Sequence, residues 1–182
     1  MSLADVEALR GDRSPEQRAG VAAKLGHQLG AVGEGSERDL VNAILGLLVR
    51  DVATEVRKSL ANAIAANPDV PLPIVRQLAQ DEIEVARPVL ERSPVLTDDD
   101  LLQIVRTNAM QYALAVAGRE RLSEVVADAQ VDTGAQSVVA RLVANAGAKQ
   151  SVKTLQRVIE EYETDREVQA RLVRRPEEPY DL

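Results

Sequence analysis

Apolar positions along the chain recur at intervals of three and four residues. They fall at 40, 41, 44, 45 and 48 in one segment and at 56, 60 and 64 in the next. This spacing places apolar side chains on one face of an amphipathic α-helix. No segment alternates apolar and polar residues for long enough to indicate a strand, and Asn67-Pro68 and Ser93-Pro94 interrupt the pattern. The pattern predicts an all-α fold of eleven or twelve short helices.

The same periodicity predicts the core. We expect it to be formed by the apolar residues that recur on these helical faces: Leu45, Leu48, Val56, Leu60, Ile64, Leu78, Val85, Val89, Leu101, Ile104, Leu142, Leu155 and Leu172.

A second pattern repeats with a longer period. An apolar residue is followed after three positions by an Asp, and the Asp after six positions by an Arg. The four complete copies contain Asp12 with Arg18, Asp51 with Arg57, Asp81 with Arg87, and Asp165 with Arg171. Degenerate copies lie at Thr107 and Asp132, and consecutive junctions are 25 to 39 residues apart. Such a period is typical of α-solenoids built from stacked helical hairpins.

The repeated Asp and Arg have a structural interpretation. The Asp falls where one helix ends and the next begins, so its carboxylate can cap free N–H groups there. The Arg lies one to two turns into the second helix and can reach the Asp of its own or a neighbouring hairpin. We call these four pairs the Asp–Arg ladder; it resembles that of HEAT repeats, although the units are shorter. The alternative is a row of cations for acidic or phosphorylated peptides, which the degenerate copies would interrupt.

The segment EVARPVLERSPVLTDDDLLQIV, residues 84–105, carries a resemblance to a known family. It is similar to the signature of bacterial domain-of-unknown-function family 2336, most strongly over residues 45 to 110. The resemblance implies a HEAT-like superhelix and no particular reaction. Members of that family are often longer, which is compatible with a domain of a larger protein. We therefore expect a right-handed α-α superhelix (a HEAT-like solenoid) of about six hairpins, with one domain over 1–175 and a polar C-terminal tail over 176–182.

Pro88 stands inside one of the expected second helices. It removes a backbone donor and is expected to bend or break that helix. We interpret the kink as a packing feature that sets the curvature of the solenoid. The alternative is a pocket opened at the kink and lined by Arg87, Glu91 and Arg92.

Three further features favour structural roles. The glycine-rich segment over 30–35 lacks the Lys-Ser/Thr of a phosphate-binding loop, so we expect a connector, with Ser36 capping the following helix. The carboxylates of residues 98–100 are expected to complement a helix dipole instead of binding a cation. His27, near a predicted helix end, is expected to be a cap or a surface residue.

Composition excludes several chemistries. The chain has no Cys and one His, so disulfides, thiolate zinc sites, iron–sulfur clusters and histidine clusters are ruled out. We therefore expect no metal, no cofactor and no catalytic residue. The net charge of −7, with no Phe or Trp, disfavours a nucleic-acid partner. No apolar run approaches the ~20 residues of a membrane span, and no secretory signal is visible, so we expect a cytoplasmic protein.

A solenoid presents an extended concave surface, which predicts a protein-interaction scaffold without enzymatic activity. The exposed candidates on its second helices are Lys58, Asn62, Arg92, Gln111 and Asn145. The acidic net charge favours a protein partner with a basic surface. Two alternatives remain: an enzyme on a helical-repeat scaffold, such as a DNA glycosylase, and a structural or oligomerisation module of a longer protein, with which a homo-oligomer is compatible.

Overall fold

A computed structural model describes residues 14–29 and 35–174. These residues form eleven α-helices and no strand, so the prediction of an all-α fold is confirmed. The chain divides into two compact units, residues 1–96 and 97–182, and each is described separately below. The single domain over 1–175 stays a prediction. Asp12 and the tail over 176–182 lie outside the described residues.

The first unit contains five described helices: α1 (Pro15–Gln28), α2 (Ser36–Leu48), α3 (Thr54–Ile64), α4 (Leu72–Ala79) and α5 (Ile83–Arg92). Helix α3 packs against α1 on one side and α5 on the other, while α2 packs against α3 and α4 against α5. Helices α1, α3 and α5 therefore form one row of contacts.

The second unit contains six described helices: α6 (Asp98–Thr107), α7 (Met110–Ala117), α8 (Glu124–Asp132), α9 (Gln136–Ala144), α10 (Val152–Glu161) and α11 (Arg166–Val173). Helices α6, α8 and α10 form one row of contacts, and α7, α9 and α11 form another. The helices of each row are thus separated in sequence by one helix of the other row.

The core follows the three-and-four spacing. Leu60 and Leu78 are completely buried, as are Val85 and Leu142. Of the thirteen core residues expected from the sequence, all are buried except Leu155 and Leu172. Those two are half-buried because they lie on the last two described helices, where fewer helices cover them.

Local sequence explains where two of the helices begin. At α6, the Thr97 hydroxyl accepts from the Asp100 N–H, and the Asp100 carboxylate accepts from the Thr97 N–H at 3.0 Å. The acidic residues 98–100 thus occupy a first turn, as expected. At α2, the prediction that Ser36 caps the helix is wrong. Gly35 is the capping residue, with a φ of 89° that favours glycine, and Ser36 is the first helical residue.

Candidate functional site

Two pairs of arginine and aspartate join successive helical hairpins in the first unit. Arg18 Nε lies 2.7 Å from Asp51 Oδ2, and its Nη2 lies 2.9 Å from Oδ1. Arg57 binds Asp81 in the same manner, at 2.6 and 2.9 Å. In each pair the Arg reaches the Asp of the following hairpin, so the geometry selects the neighbouring hairpin from the two alternatives.

Each of these aspartates also binds backbone N–H groups. Asp51 Oδ1 accepts from the Ala53 N–H at 2.9 Å, and Asp81 Oδ1 accepts from the Glu82 N–H at 2.7 Å. The hydrogen bonds from Arg18 lower the pKa of Asp51. Burial opposes ionisation of Asp81, but the hydrogen bonds from Arg57 and the Glu82 N–H outweigh it, and the pKa of Asp81 is also lowered. Both carboxylates are therefore ionised and engaged in holding the fold.

The fourth pair of the ladder is arranged differently. Asp165 caps α11, accepting from the N–H groups of Glu167 at 2.9 Å and Val168 at 3.1 Å. Arg171 Nη2 binds Glu167 Oε1 at 2.8 Å, on its own helix. Arg171 thus pairs with a carboxylate one helical turn away, instead of with an Asp of the ladder.

An arginine outside the repeat pattern pairs with the junction at Asp132. Arg157 Nη1 lies 2.6 Å from Asp132 Oδ1, and its Nε lies 2.6 Å from Glu161 Oε1. These two hydrogen bonds raise the pKa of Arg157. The repeat pattern could not reveal this contact, because Arg157 occupies a different position from the ladder arginines.

Arg87, the third arginine of the ladder, is exposed on α5. It makes no hydrogen bond or ion pair with the described residues of its unit. In the sequence, the junction that follows carries Thr107 where the earlier junctions carry an aspartate. The guanidinium of Arg87 is therefore exposed on the protein surface and has no hydrogen-bond or ion-pair partner among the described residues of its unit.

Arg87 lies in an open groove between α3 and α5, with a volume of about 460 Å³. The groove is lined by residues at helical spacing on the two helices: Lys58, Asn62, Glu84, Arg87, Pro88, Glu91 and Arg92. We call it the α3–α5 groove. It contains three of the five partner-binding candidates and the pocket that the alternative interpretation of Pro88 described.

Pro88 forms the buried part of this groove. Helix α5 continues through it from Ile83 to Arg92, so the helix is not broken. Because proline has no N–H, the carbonyl of Glu84 receives no helical hydrogen bond from position 88. The groove thus has an apolar floor and a rim of charged side chains.

The polar contacts across the α3–α5 groove are long and exposed. Lys58 Nζ lies 3.3 Å from Glu84 Oε2, and Arg92 Nη2 lies 3.4 Å from Asn62 Oδ1. The Asn62 Nδ2 donates to the Lys58 carbonyl at 2.9 Å. Exposed pairs of this kind contribute little to stability, so these side chains can exchange their contacts for those of a ligand.

A second groove, of about 490 Å³, lies between α9 and α11. Its lining residues are Ala144, Glu167, Ala170, Arg171 and Arg174. Residues 167, 170 and 171 on α11, with Arg174 directly after it, follow the spacing i, i+3, i+4 and i+7, which is also the spacing of residues 84, 87, 88 and 91 on α5. In both units, the groove lies between alternate helices that pack side by side.

The two other partner-binding candidates lie elsewhere. Gln111 is exposed on α7. Asn145 is not an exposed candidate: its Nδ2 donates to the carbonyls of Ala117 at 2.9 Å and Arg119 at 2.6 Å, and its Oδ1 accepts from the Gly147 N–H at 2.9 Å. It lies one residue beyond the end of α9, where its amide ties the cap to the preceding loop.

The part of the chain that the structure describes contains no group of three or more His, Cys, Asp or Glu side chains able to hold a metal ion. None of the described helices is long and apolar enough to span a bilayer.

One family model matches the chain. It is described as an uncharacterised protein conserved in bacteria (DUF2336), and it matches residues 85–182, more than half of the sequence. The matched range includes almost all of the 84–105 segment and extends to the C-terminal residue, instead of reaching back to residue 45. No curated protein and no solved structure matches the chain.

Proposed function

The chain belongs to the bacterial DUF2336 family, and on this premise we propose that it is a protein-interaction scaffold. Its partner binds in the grooves between alternate helices, with the α3–α5 groove as the principal contact. The hairpins stack as a right-handed, HEAT-like solenoid, an arrangement supported within the first unit by the packing of α3 against α1 and α5, and within the second unit by its two rows of alternate helices.

One observation carries this proposal. The α3–α5 groove and the groove between α9 and α11 are lined at the same helical spacing by exposed charged side chains. The ion pairs Arg18–Asp51 and Arg57–Asp81 hold hairpins together, whereas the contacts that cross the α3–α5 groove, Lys58 to Glu84 and Arg92 to Asn62, are 3.3 and 3.4 Å long. Such a surface is suited to binding an extended partner by several weak polar contacts and a buried apolar centre.

Affinity capture from the native host tests the proposal. The baits are the wild-type chain and the groove variant Lys58→Ala with Asn62→Ala and Arg92→Ala. A matched control replaces exposed residues on other helices: Gln103→Ala, Arg106→Ala and Lys153→Ala. We expect one protein to be recovered with the wild type and the control and lost with the groove variant. Circular dichroism melting establishes that all three baits are folded.

The purified partner is then titrated by calorimetry. We expect the groove variant to bind at least about tenfold more weakly than the control variant. Equal binding by the two variants, or the failure of every bait to recover a reproducible protein, would contradict the scaffold function.

A further inference from the structure

The local charge of the α3–α5 groove is opposite to that of the chain. The chain has a net charge of −7, whereas the groove is lined by three cations and two carboxylates. Lys58 lies 3.3 Å from Glu84, so these two charges largely offset each other. The remaining charges are Arg87, Arg92 and Glu91, all on α5, which leaves the groove with an excess of one positive charge.

The other ladder arginines of the first unit show which group an arginine at this repeat position binds. Arg18 and Arg57 each bind a carboxylate through two nitrogens. Arg87 has the corresponding place six positions after Asp81, yet it pairs with no described residue of its unit. A planar guanidinium that is exposed and uncommitted matches the two oxygens of a carboxylate.

Arg92 is held almost as loosely. Among the described residues of the first unit, Arg92 makes one hydrogen bond, to Asn62 Oδ1 at 3.4 Å, and this contact is exposed. A ligand carboxylate can replace this contact with a shorter, charge-assisted one. Pro88, between the two arginines, offers a buried apolar surface against which the stem of an acidic side chain can pack.

We propose that the α3–α5 groove recognises an acidic segment of the protein partner, with Asp or Glu carboxylates bound by Arg87 and Arg92. This inference rests on the proposed scaffold function and names the chemistry of its partner. An acidic segment is the opposite of the basic partner surface that we expected from the net charge of the chain. Net charge governs the approach of a partner over long distances, whereas the groove side chains decide which groups bind at contact.

A carboxylate fits this groove better than a phosphate group does. Asp51 and Asp81 are bound by arginines of the same fold, so the complementary geometry is already present in the molecule. Glu84 and Glu91 also line the groove and would repel the second negative charge of a phosphate.

Selection from a library of displayed random peptides tests the inference. We expect the wild-type chain to enrich peptides with closely spaced Asp and Glu residues. A synthetic peptide of the enriched sequence should bind the variant Arg87→Glu with Arg92→Glu at least about tenfold more weakly than the wild type. The control Arg106→Glu with Lys153→Glu carries the same change in charge on other helices and should bind like the wild type. A peptide with its acidic residues changed to Lys should recover binding to the groove variant.

Other results would overturn the inference. Enrichment of neutral or basic peptides would do so, as would equal binding of the acidic peptide to the two charge-reversal variants. Clearly tighter binding of a phosphoserine peptide than of its Asp counterpart would reassign the groove to phosphorylated segments. Neutral or basic peptides that lose affinity on Lys58→Ala with Asn62→Ala would overturn the acidic chemistry alone and leave the scaffold function standing.

Discussion

The Arg57 side chain, on α3, binds both Asp81, in the junction before α5, and Asp51, in the junction before α3. Its Nε and Nη2 bind the two carboxylate oxygens of Asp81, and its Nη1 donates to the Asp51 carbonyl at 2.8 Å. The Arg57 side chain is 14% exposed and that of Asp81 is 13% exposed. This arginine therefore fixes the start of its own helix, α3, relative to the junction before α5.

Replacing Arg57 with Ala should lower the free energy of unfolding by about 2 kcal/mol, because it removes a shielded two-point ion pair and leaves the Asp81 carboxylate partly buried. Urea denaturation at neutral pH measures the change. Arg50→Ala is the control, since Arg50 is exposed two residues beyond the end of α2, and it should change the free energy by less than about 0.5 kcal/mol. Equal effects of the two substitutions would contradict the structural role of the ladder.

Stability should fall in acid through Asp51 and Asp81. Both folded-state pKa values lie below their usual range, which is about 3.9 in an unfolded chain. A carboxyl with a lowered folded pKa stabilises the fold fully above the unfolded pKa, and this contribution is lost as the pH falls through the folded pKa. The loss should therefore begin near pH 4 and continue below it.

Asp81→Asn isolates this contribution. The wild type should be more stable than the variant at pH 7, and the difference should shrink as the pH falls below about 4. Urea denaturation of both proteins across this range provides the measurement. A difference that stays constant from pH 7 to the acid limit would show that the ionisation of Asp81 does not stabilise the fold.

A substitution at Leu60 tests whether the apolar positions spaced by three and four residues form the core. It is completely buried on α3, and Leu60→Ala should lower the free energy of unfolding by about 2 to 5 kcal/mol through lost burial and the cavity left behind. Leu47, which is 50% exposed on α2, is the control. Leu47→Ala should cost under about 1 kcal/mol in the same denaturation experiment. A small loss for Leu60→Ala would contradict the assignment of this helical face to the core.

The sequence predicts the helices and their buried faces well, because the three-and-four spacing directly reports which side of a helix is apolar. Leu60 and Ile64 were identifiable in this way. The ladder partners Arg18 and Asp51 were also identifiable as a class, since repetition marks them. The sequence did not show whether each Arg binds the Asp of its own hairpin or that of the next. That choice depends on the distance between hairpins, which the residue spacing within a single hairpin does not report.

The groove was only partly predictable. Lys58, Asn62 and Arg92 were identified from their polar character on second helices, and they line the α3–α5 groove. Asn145 was expected to be exposed on a second helix, but it is half-buried one residue past the end of α9, because sequence does not fix a helix end to one residue. The sequence also did not show that Arg87 lacks an ion-pair partner within its unit, since the repeat pattern identifies the arginine but not whether a carboxylate reaches it.

Two glycines of α1 should respond in opposite directions to the same substitution. At Gly20 nothing lies within 4 Å of an added Cβ, whereas at Gly26 an added Cβ would lie 2.7 Å from the Ala63 carbonyl oxygen. Helix α1 packs closely on α3 at that point. Gly20→Ala should raise the free energy of unfolding by up to about 1 kcal/mol, because alanine is the better helix former.

Gly26→Ala should instead lower the free energy of unfolding by about 1 to 3 kcal/mol. The gain in helix propensity is the same, but the backbone of Ala63 cannot move aside without shifting α1 away from α3. Urea denaturation of the two variants beside the wild type provides the measurement, and each variant is the control for the other. Stabilisation by both substitutions would mean that α1 and α3 do not approach as closely as the structure places them, and the row formed by α1, α3 and α5 would lose its first contact.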